Sequence, residues 1–419
     1  MASRVRHAHL HHRSLFQPKE PAFWVFALFV VGGAIAIVDV LARLSRISTS
    51  GYALSWLLLA IYAVPVFVVV YKLDLYEREP MSLALGAFAW GAFAATALAS
   101  AAVGWDEVVV RAFGQDFAAR WGPAITAPFV EESMKVVGVV LIYLIARDEV
   151  DDVMDGFVYG ALCGLGFAVV EDVLYFMGFF GGSPGDVVQG FYVRVVSSGL
   201  YGHVLYTGMT GMAVGFVVSR RSDVPLATRL RVAALLAGAG VAMHALWNSP
   251  LLDLVPRDPH GAAWLLYPVA LAFKGLPMVA FVGIAVGLAR RRERRWLDVA
   301  LASETDGEVL TASELQTLRE PRRRREAVRE VRRRAGAPAA RLLRRLQREQ
   351  ITLAMVASRV GSPDDPALVE QRDYCRSLRD ALAAIPGAAS AEAQAADAPG
   401  APGPPPRGGE TGGSAQDPR

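Results

Sequence analysis

Charge is scarce in this chain. Asp, Glu, Lys and Arg make up 20% of its 419 residues, whereas 53% are apolar. A soluble protein of this length carries more charge, so the composition excludes that class before any motif is read. Cysteine is scarcer still. Cys163 sits in an apolar run and Cys375 in a polar tail, so no disulfide framework is implied, and no CxxC or Cys/His zinc pattern occurs. H-E-x-x-H is also missing, which removes the usual helical zinc-protease signature. Inside the apolar runs there is no G-x-S-x-G and no pair of catalytic aspartates.

What remains is a succession of apolar runs, each about 20 residues long, the length needed to cross a bilayer. Eight are expected, at about 22–42, 54–73, 81–103, 124–146, 156–178, 195–219, 231–250 and 263–289. The fold class is therefore all-α, a polytopic membrane bundle of about eight transmembrane helices with a cytoplasmic helical tail. The first run is long and follows a basic stretch, so it reads as a signal anchor.

Basic residues set the expected topology. Arg4, Arg6, Arg13 and Lys19 precede the first run, Arg220, Arg221, Arg229 and Arg231 lie near 219–231, and Arg290, Arg291 and Arg292 follow the last run. Eight crossings put all three groups on one side, and the positive-inside rule makes it the cytoplasm. Arg43 and Arg46 fall on the other side as a mild exception. The protein is thus expected in the plasma (inner) membrane with both termini cytoplasmic.

Four segments follow. Residues 1–21 form a basic tail, 22–290 the membrane core, 291–385 a basic helical tail, and 386–419 a Pro/Gly/Ala-rich stretch whose composition reads as disorder. His7, His9, His11 and His12 crowd the first segment, but nothing nearby would hold them as metal ligands. In the third segment Leu342, Leu346, Leu353, Val356 and Val360 recur on one helix face, and Asp365-Pro366 starts a second helix. Two antiparallel helices are expected there. The dense arginines Arg322 to Arg325 and Arg332 to Arg334 suit anionic lipid and not nucleic acid.

The informative residues are polar ones inside spans four to seven. Span four holds Glu131, Glu132 and Lys135, with the lysine one turn from both acids. Span five holds Phe167 and Glu171, span six His203, and span seven His244 with Asn248 one turn on. Intramembrane acids cost roughly 2.5–3.5 kcal/mol each on insertion scales and are functional candidates by default. Counted from the outer ends of their spans, Glu131, Glu171, His203 and His244 lie at similar depths, about 9–12 Å at 1.5 Å per residue. Small residues share their faces. Gly156, Gly160 and Gly164 repeat at four, as do Gly199, His203, Thr207, Gly211 and Gly215, and Gly240, His244 and Asn248. Small stripes pack membrane helices closely, so the polar groups point into a bundle.

Two carboxylates, two imidazoles and an amide at one depth are parts of a water-activating hydrolase. A glutamate can take a proton from water, and histidine and asparagine can stabilise an oxyanion. Glutamate and histidine could equally hold a divalent metal such as zinc, with Glu131, His203 and His244 as ligands. A second class stays open, a proton- or ion-coupled transporter or a membrane scaffold. Pro65, Pro123 and Pro128 leave room for the broken helices a transporter would use.

At these residues the chain resembles the PrsW family of intramembrane proteases, within the CAAX-prenyl-protease and bacteriocin-processing superfamily. The shared pattern is E-E-x-x-K, F-x-x-x-E, a lone histidine, and a last histidine with asparagine on the next turn. Glu131, Glu132 and Lys135, Phe167 and Glu171, His203, and His244 and Asn248 match it in order. The acidic, proline-ended loop Asp74-Leu75-Tyr76-Glu77-Arg78-Glu79-Pro80 is similar too, and the likeness covers about residues 55–290. The resemblance implies cleavage of a single-pass membrane protein, such as an anti-sigma factor. It implies that Glu131 and His203 hold and activate water, that His244 and Asn248 form the oxyanion pocket, and that Glu132 and Lys135 orient the site. CAAX-type relatives carry histidine at the place of Glu171. The resemblance leaves metal-free and metal-dependent catalysis both open.

Overall fold

The computed structural model describes residues 14–74, 76, 79–101, 104–147, 149–150, 152–196, 202–219, 224–251, 269, 271–305, 307–360, 362–388 and 390. The histidine-rich start, Leu75, Glu77, Arg78, Gly199, Arg220, Arg221 and the stretch 391–419 lie outside these residues. The described chain is helical and divides into two compact units, at Glu293/Arg294.

In the larger unit, α1 (Pro21–Leu44), α2 (Thr49–Tyr71) and α3 (Met81–Ala101) are apolar enough to cross a membrane. Proline starts α1, and the Ser48 hydroxyl caps α2 by accepting from Gly51 N. After α4 (Gly104–Phe113), a helix not expected from the sequence, comes the long α5 (Gln115–Ile145). Next are α6 (Val153–Phe179), α7 (Pro184–Phe191), α8 (Gly202–Ser219), α9 (Leu226–Asn248) and α10 (Leu271–Ala300). Six helices among the described residues are long and apolar enough to span: α1, α2, α3, α6, α9 and α10. The protein is a multi-pass helical membrane protein. Helices α5 and α8 stand where the fourth and sixth of the eight expected spans were placed, and α5 carries the acids and lysine that lower its apolarity.

Pro65 lies inside α2, and Pro123 and Pro128 inside α5, without ending either helix. The Asp152 carboxylate caps α6 in a reciprocal box with Asp155. Helix α6 is the axis of this unit, buried along nearly its whole length and packed against α8, α3 and α2. Its glycines explain how. A Cβ on Gly160 would lie 2.2 Å from the Thr207 carbonyl, and one on Gly164 2.2 Å from the His203 carbonyl. Only glycine lets the α6 and α8 backbones meet so closely. On the far side of α5, the Trp90 indole of α3 donates to the Met134 carbonyl at 2.9 Å.

The second unit contains α11 (Ala312–Arg319), α12 (Pro321–Arg359) and α13 (Pro366–Ala383). The Asp365 carboxylate accepts from Ala367 N at 2.9 Å, so the expected helix start at Asp365-Pro366 is present. Three helical segments stand where a pair was expected, and the second is itself two helices joined at Gly336. Gly336 has φ 85 inside α12, a left-handed break that glycine tolerates. Leu346, Leu353 and Val356 are buried, while Leu342 and Val360 are half-buried.

Candidate active site

Helix α5 delivers Glu131, Glu132 and Lys135, α6 delivers Glu171, α8 delivers His203, and α9 delivers His244. Lys135 is the hub. Its Nζ lies 3.0 Å from Glu131 Oε2, 3.0 Å from Glu132 Oε1 and 3.0 Å from His203 Nδ1. An ammonium has three protons and cannot accept, so these contacts use its whole donor set. The ammonium also lies 3.7 Å from the centre of the Phe167 ring, a cation–π contact.

The lysine fixes the histidine tautomers. His203 Nδ1 must accept, so Nε2 carries the proton and donates to Glu171 Oε2 at 3.0 Å. His244 Nδ1 is 3.2 Å from Glu132 Oε1, which can only accept when ionised, so His244 donates there. Its Nε2 is then the bare nitrogen, 4.0 Å from Glu131 Oε2. The two imidazoles meet edge to face with centroids 4.9 Å apart, and Tyr206 stacks on His244.

Adjacent glutamates thus differ in kind. The Glu132 side chain is 1% exposed and engaged by Lys135, His244 and the Thr207 hydroxyl, the last at 2.8 Å. Glu131 is 12% exposed and has Lys135 as its hydrogen-bond donor. Glu132 is built into the bundle, and Glu131 is the less enclosed of the two. Asn248 stands apart from this cluster. Its amide donates to the Pro123 carbonyl at 3.1 Å, one turn from His244.

Several contacts were not singled out in the sequence. Arg194 Nη2 donates to Glu171 Oε2 at 2.7 Å, and its Nε to Asp172 Oδ1 at 2.6 Å. The guanidinium lies 3.7 Å from the Tyr175 ring centre. Arg194 lies one residue before the sixth expected span, so a residue count left it in a loop. An arginine flanked by Val193 and Val195 was the available signal. Thr207 was visible as a small residue on the glycine stripe, and its polar role depends on Glu132 arriving from α5.

Glu131, His203 and His244 each offer a donor atom, all within 4.8 Å of one another. One carboxylate and two imidazoles make a three-ligand set of the kind that leaves a catalytic zinc one open position. The donors fit such an ion in type and spacing. Lys135 would have to release His203 Nδ1, because that nitrogen has a single lone pair.

A polytopic helical membrane protein with a buried carboxylate–lysine–histidine cluster is the class that fold and site define. A family model described as PrsW family intramembrane metalloprotease matches residues 79–273, which include all seven expected site residues. Over that stretch the chain is similar to the PrsW family. It is 33% identical over 107 residues to Protease PrsW of Geobacillus kaustophilus (strain HTA426). That alignment takes in 26% of this chain and 45% of the relative, so the chain spans under half the length of the curated relative it matches. No solved structure matches the chain.

Proposed function

We propose that the protein is an intramembrane endopeptidase that uses Glu131 to activate water against a peptide bond in a membrane-anchored protein. The observation that carries this reading is the pair Glu131 Oε2 and His244 Nε2. Both are acceptors, 4.0 Å apart, and Glu131 is the more exposed of the two α5 acids. A water between them donates one hydrogen to each and presents its lone pairs outward. Glu131 takes the proton as general base. Lys135 holds the Glu131 carboxylate and orients His203, Glu132 orients His244, and Glu171 orients His203.

The oxyanion role expected of His244 and Asn248 has two requirements here. His244 must gain a proton at Nε2, the one that Glu131 takes from water and passes on, which returns Glu131 to its ionised form. Asn248 must exchange the Pro123 carbonyl for substrate. A divalent ion such as zinc, held by Glu131, His203 and His244, would supply Lewis-acid polarisation and a more acidic water.

Eight crossings, counting α5 and α8, put both termini in the cytoplasm by the distribution of arginine. The substrate is a single-pass membrane protein of anti-sigma-factor kind, a reading that rests on the family. The basic tail docks on anionic lipid.

Proteolysis in liposomes tests this. Wild type, Glu131→Gln and His244→Ala are reconstituted with single-pass candidate substrates, with and without a chelator. Cleavage by wild type alone is expected. Loss under chelation assigns the ion, and retention assigns metal-free catalysis. Equal cleavage by all three folded proteins would refute the site, and no cleavage of any candidate would turn attention to transport.

A further inference from the structure

One turn of α6 grips an arginine from another segment in three places. Arg194 belongs to Tyr192–Val196, a single π-helical turn that follows α7. Its Nη2 donates to Glu171 Oε2 at 2.7 Å, and its Nε to Asp172 Oδ1 at 2.6 Å. The guanidinium carbon lies 3.7 Å from the ring centre of Tyr175. Tyr175 itself opens a second π-helical turn, Tyr175–Phe179. Turns of this kind beside α-helices recur at functional sites. Two acids hold the edge of the guanidinium and a ring covers its face, so the planar group is fixed in both rotation and tilt.

The two acids use this grip differently. One oxygen, Glu171 Oε2, accepts from both Arg194 Nη2 and His203 Nε2, at 2.7 and 3.0 Å. Asp172 takes the other arm of the fork. A glutamate side chain is rich in rotamers, and burial alone does not choose the one that meets His203. The Arg194 bond chooses it. The side chains of Arg194, Glu171 and His203 are 24%, 16% and 13% exposed, so little water competes for these bonds. On its other side the imidazole meets Lys135 through Nδ1 at 3.0 Å. Arg194, Glu171, His203 and Lys135 thus form one line of side-chain hydrogen bonds, in which each link joins two different elements.

We propose that Arg194 is a positioning residue for His203, acting through Glu171. It holds the Glu171 carboxylate where it accepts the Nε2 proton of His203, and so keeps Nδ1 bare and turned toward Lys135. The proposal rests on the reading of Glu131, His203 and His244 as the catalytic set. Partners one step behind a reacting group are worth about 10- to 100-fold in activity.

The test uses the full chain in nanodiscs, labelled with ¹⁵N-histidine. Ring nitrogen shifts tell the two neutral tautomers apart, and His203→Gln identifies the signal. Wild type should show a single His203 signal with the proton on Nε2. Arg194→Gln should give a mixture of tautomers or a broadened signal. Asp172→Asn leaves the Glu171 bond in place, so it should keep the wild-type signal although it melts lower. In the cleavage assay Arg194→Gln should lower kcat about 10- to 100-fold with KM near wild type. Arg194→Lys restores the charge but not the fork, should fall between the two, and decides if Arg194→Gln does not fold. A wild-type His203 signal in Arg194→Gln, or an unchanged kcat, overturns the proposal. The same tautomer change in Asp172→Asn would mean general loosening and overturns it as well. If wild type cleaves no candidate, the catalytic reading fails, and the tautomer still decides what Arg194 does to His203.

Discussion

Lys135 Nζ lies 3.0 Å from His203 Nδ1, a contact between two helices that sets the protonation of the imidazole and completes the lysine's donor set. The same nitrogen serves Glu131 and Glu132 at 3.0 Å each. Lys135→Met removes the one cation among these four side chains and leaves two acids without their shared donor. Breaking a buried pair from one side costs about 3–5 kcal/mol, so this variant should unfold at clearly lower denaturant or temperature. Where it can be purified, His203 Nδ1 is released. If zinc uses Glu131, His203 and His244, a competing chelator dye should show tighter zinc binding than in wild type. Unchanged affinity would place zinc elsewhere.

Glu131 and Glu132 should separate activity from stability. Glu131→Gln keeps a polar group of the same shape at a partly open position. It should melt within a few degrees of wild type while cleavage falls about 10²-fold or more, the scale of a lost general base. Glu132→Gln weakens bonds to Lys135, Thr207 and His244 and should lower the melting temperature as well. Equal melting of the two variants would show that Glu132 does not support the bundle.

Gly164 should not accept a side chain. Its Cβ would meet the His203 carbonyl at 2.2 Å, backbone against backbone, so Gly164→Ala must push α6 and α8 apart. A cost of about 1–3 kcal/mol is expected, the range for overpacking. Gly178, where nothing lies within 4 Å, is the control, and Gly178→Ala should leave stability unchanged. Comparable losses in the two variants would mean that close packing is not the cause.

Cys375, in the second unit, is fully buried, and burial raises its thiol from 9.0 to about 12. At pH 8 maleimide should therefore fail to label it in the folded chain and label it readily after unfolding. The neutral thiol is favoured in the fold. This contribution to stability is therefore complete below pH 9 and is lost between about pH 9 and 12, at about 1.4 kcal/mol per pH unit. Cys375→Ala should flatten that part of the stability profile.

Much of the site was legible because a membrane makes polarity conspicuous. Glu131, Glu132, Lys135, Glu171, His203 and His244 stand out in apolar runs, and the structure brings all six together. Helical spacing placed Asn248 with His244, but the period sets only a face. The Pro123 carbonyl, brought by α5, takes its amide. Arg194 was missed because it sits at a span edge, where a count of apolar residues has least resolution. In the tail, the Asp365-Pro366 start was readable from cap chemistry. The break in α12 at Gly336 was not, since a lone glycine in a helical pattern is usually tolerated.

The glycine contacts along α6 and α8 make those two helices the stiff side of the polar cluster. Backbones that touch cannot slide or rotate without collision, so Glu171 and His203 keep their mutual position whatever the surrounding lipid does. Helix α9 is held differently. Gly240, Met243 and His244 are its buried residues, and Gly240 makes a comparable backbone approach, to the Tyr206 carbonyl. Hydrogen exchange should record the difference as faster opening over 226–239 than over 156–170.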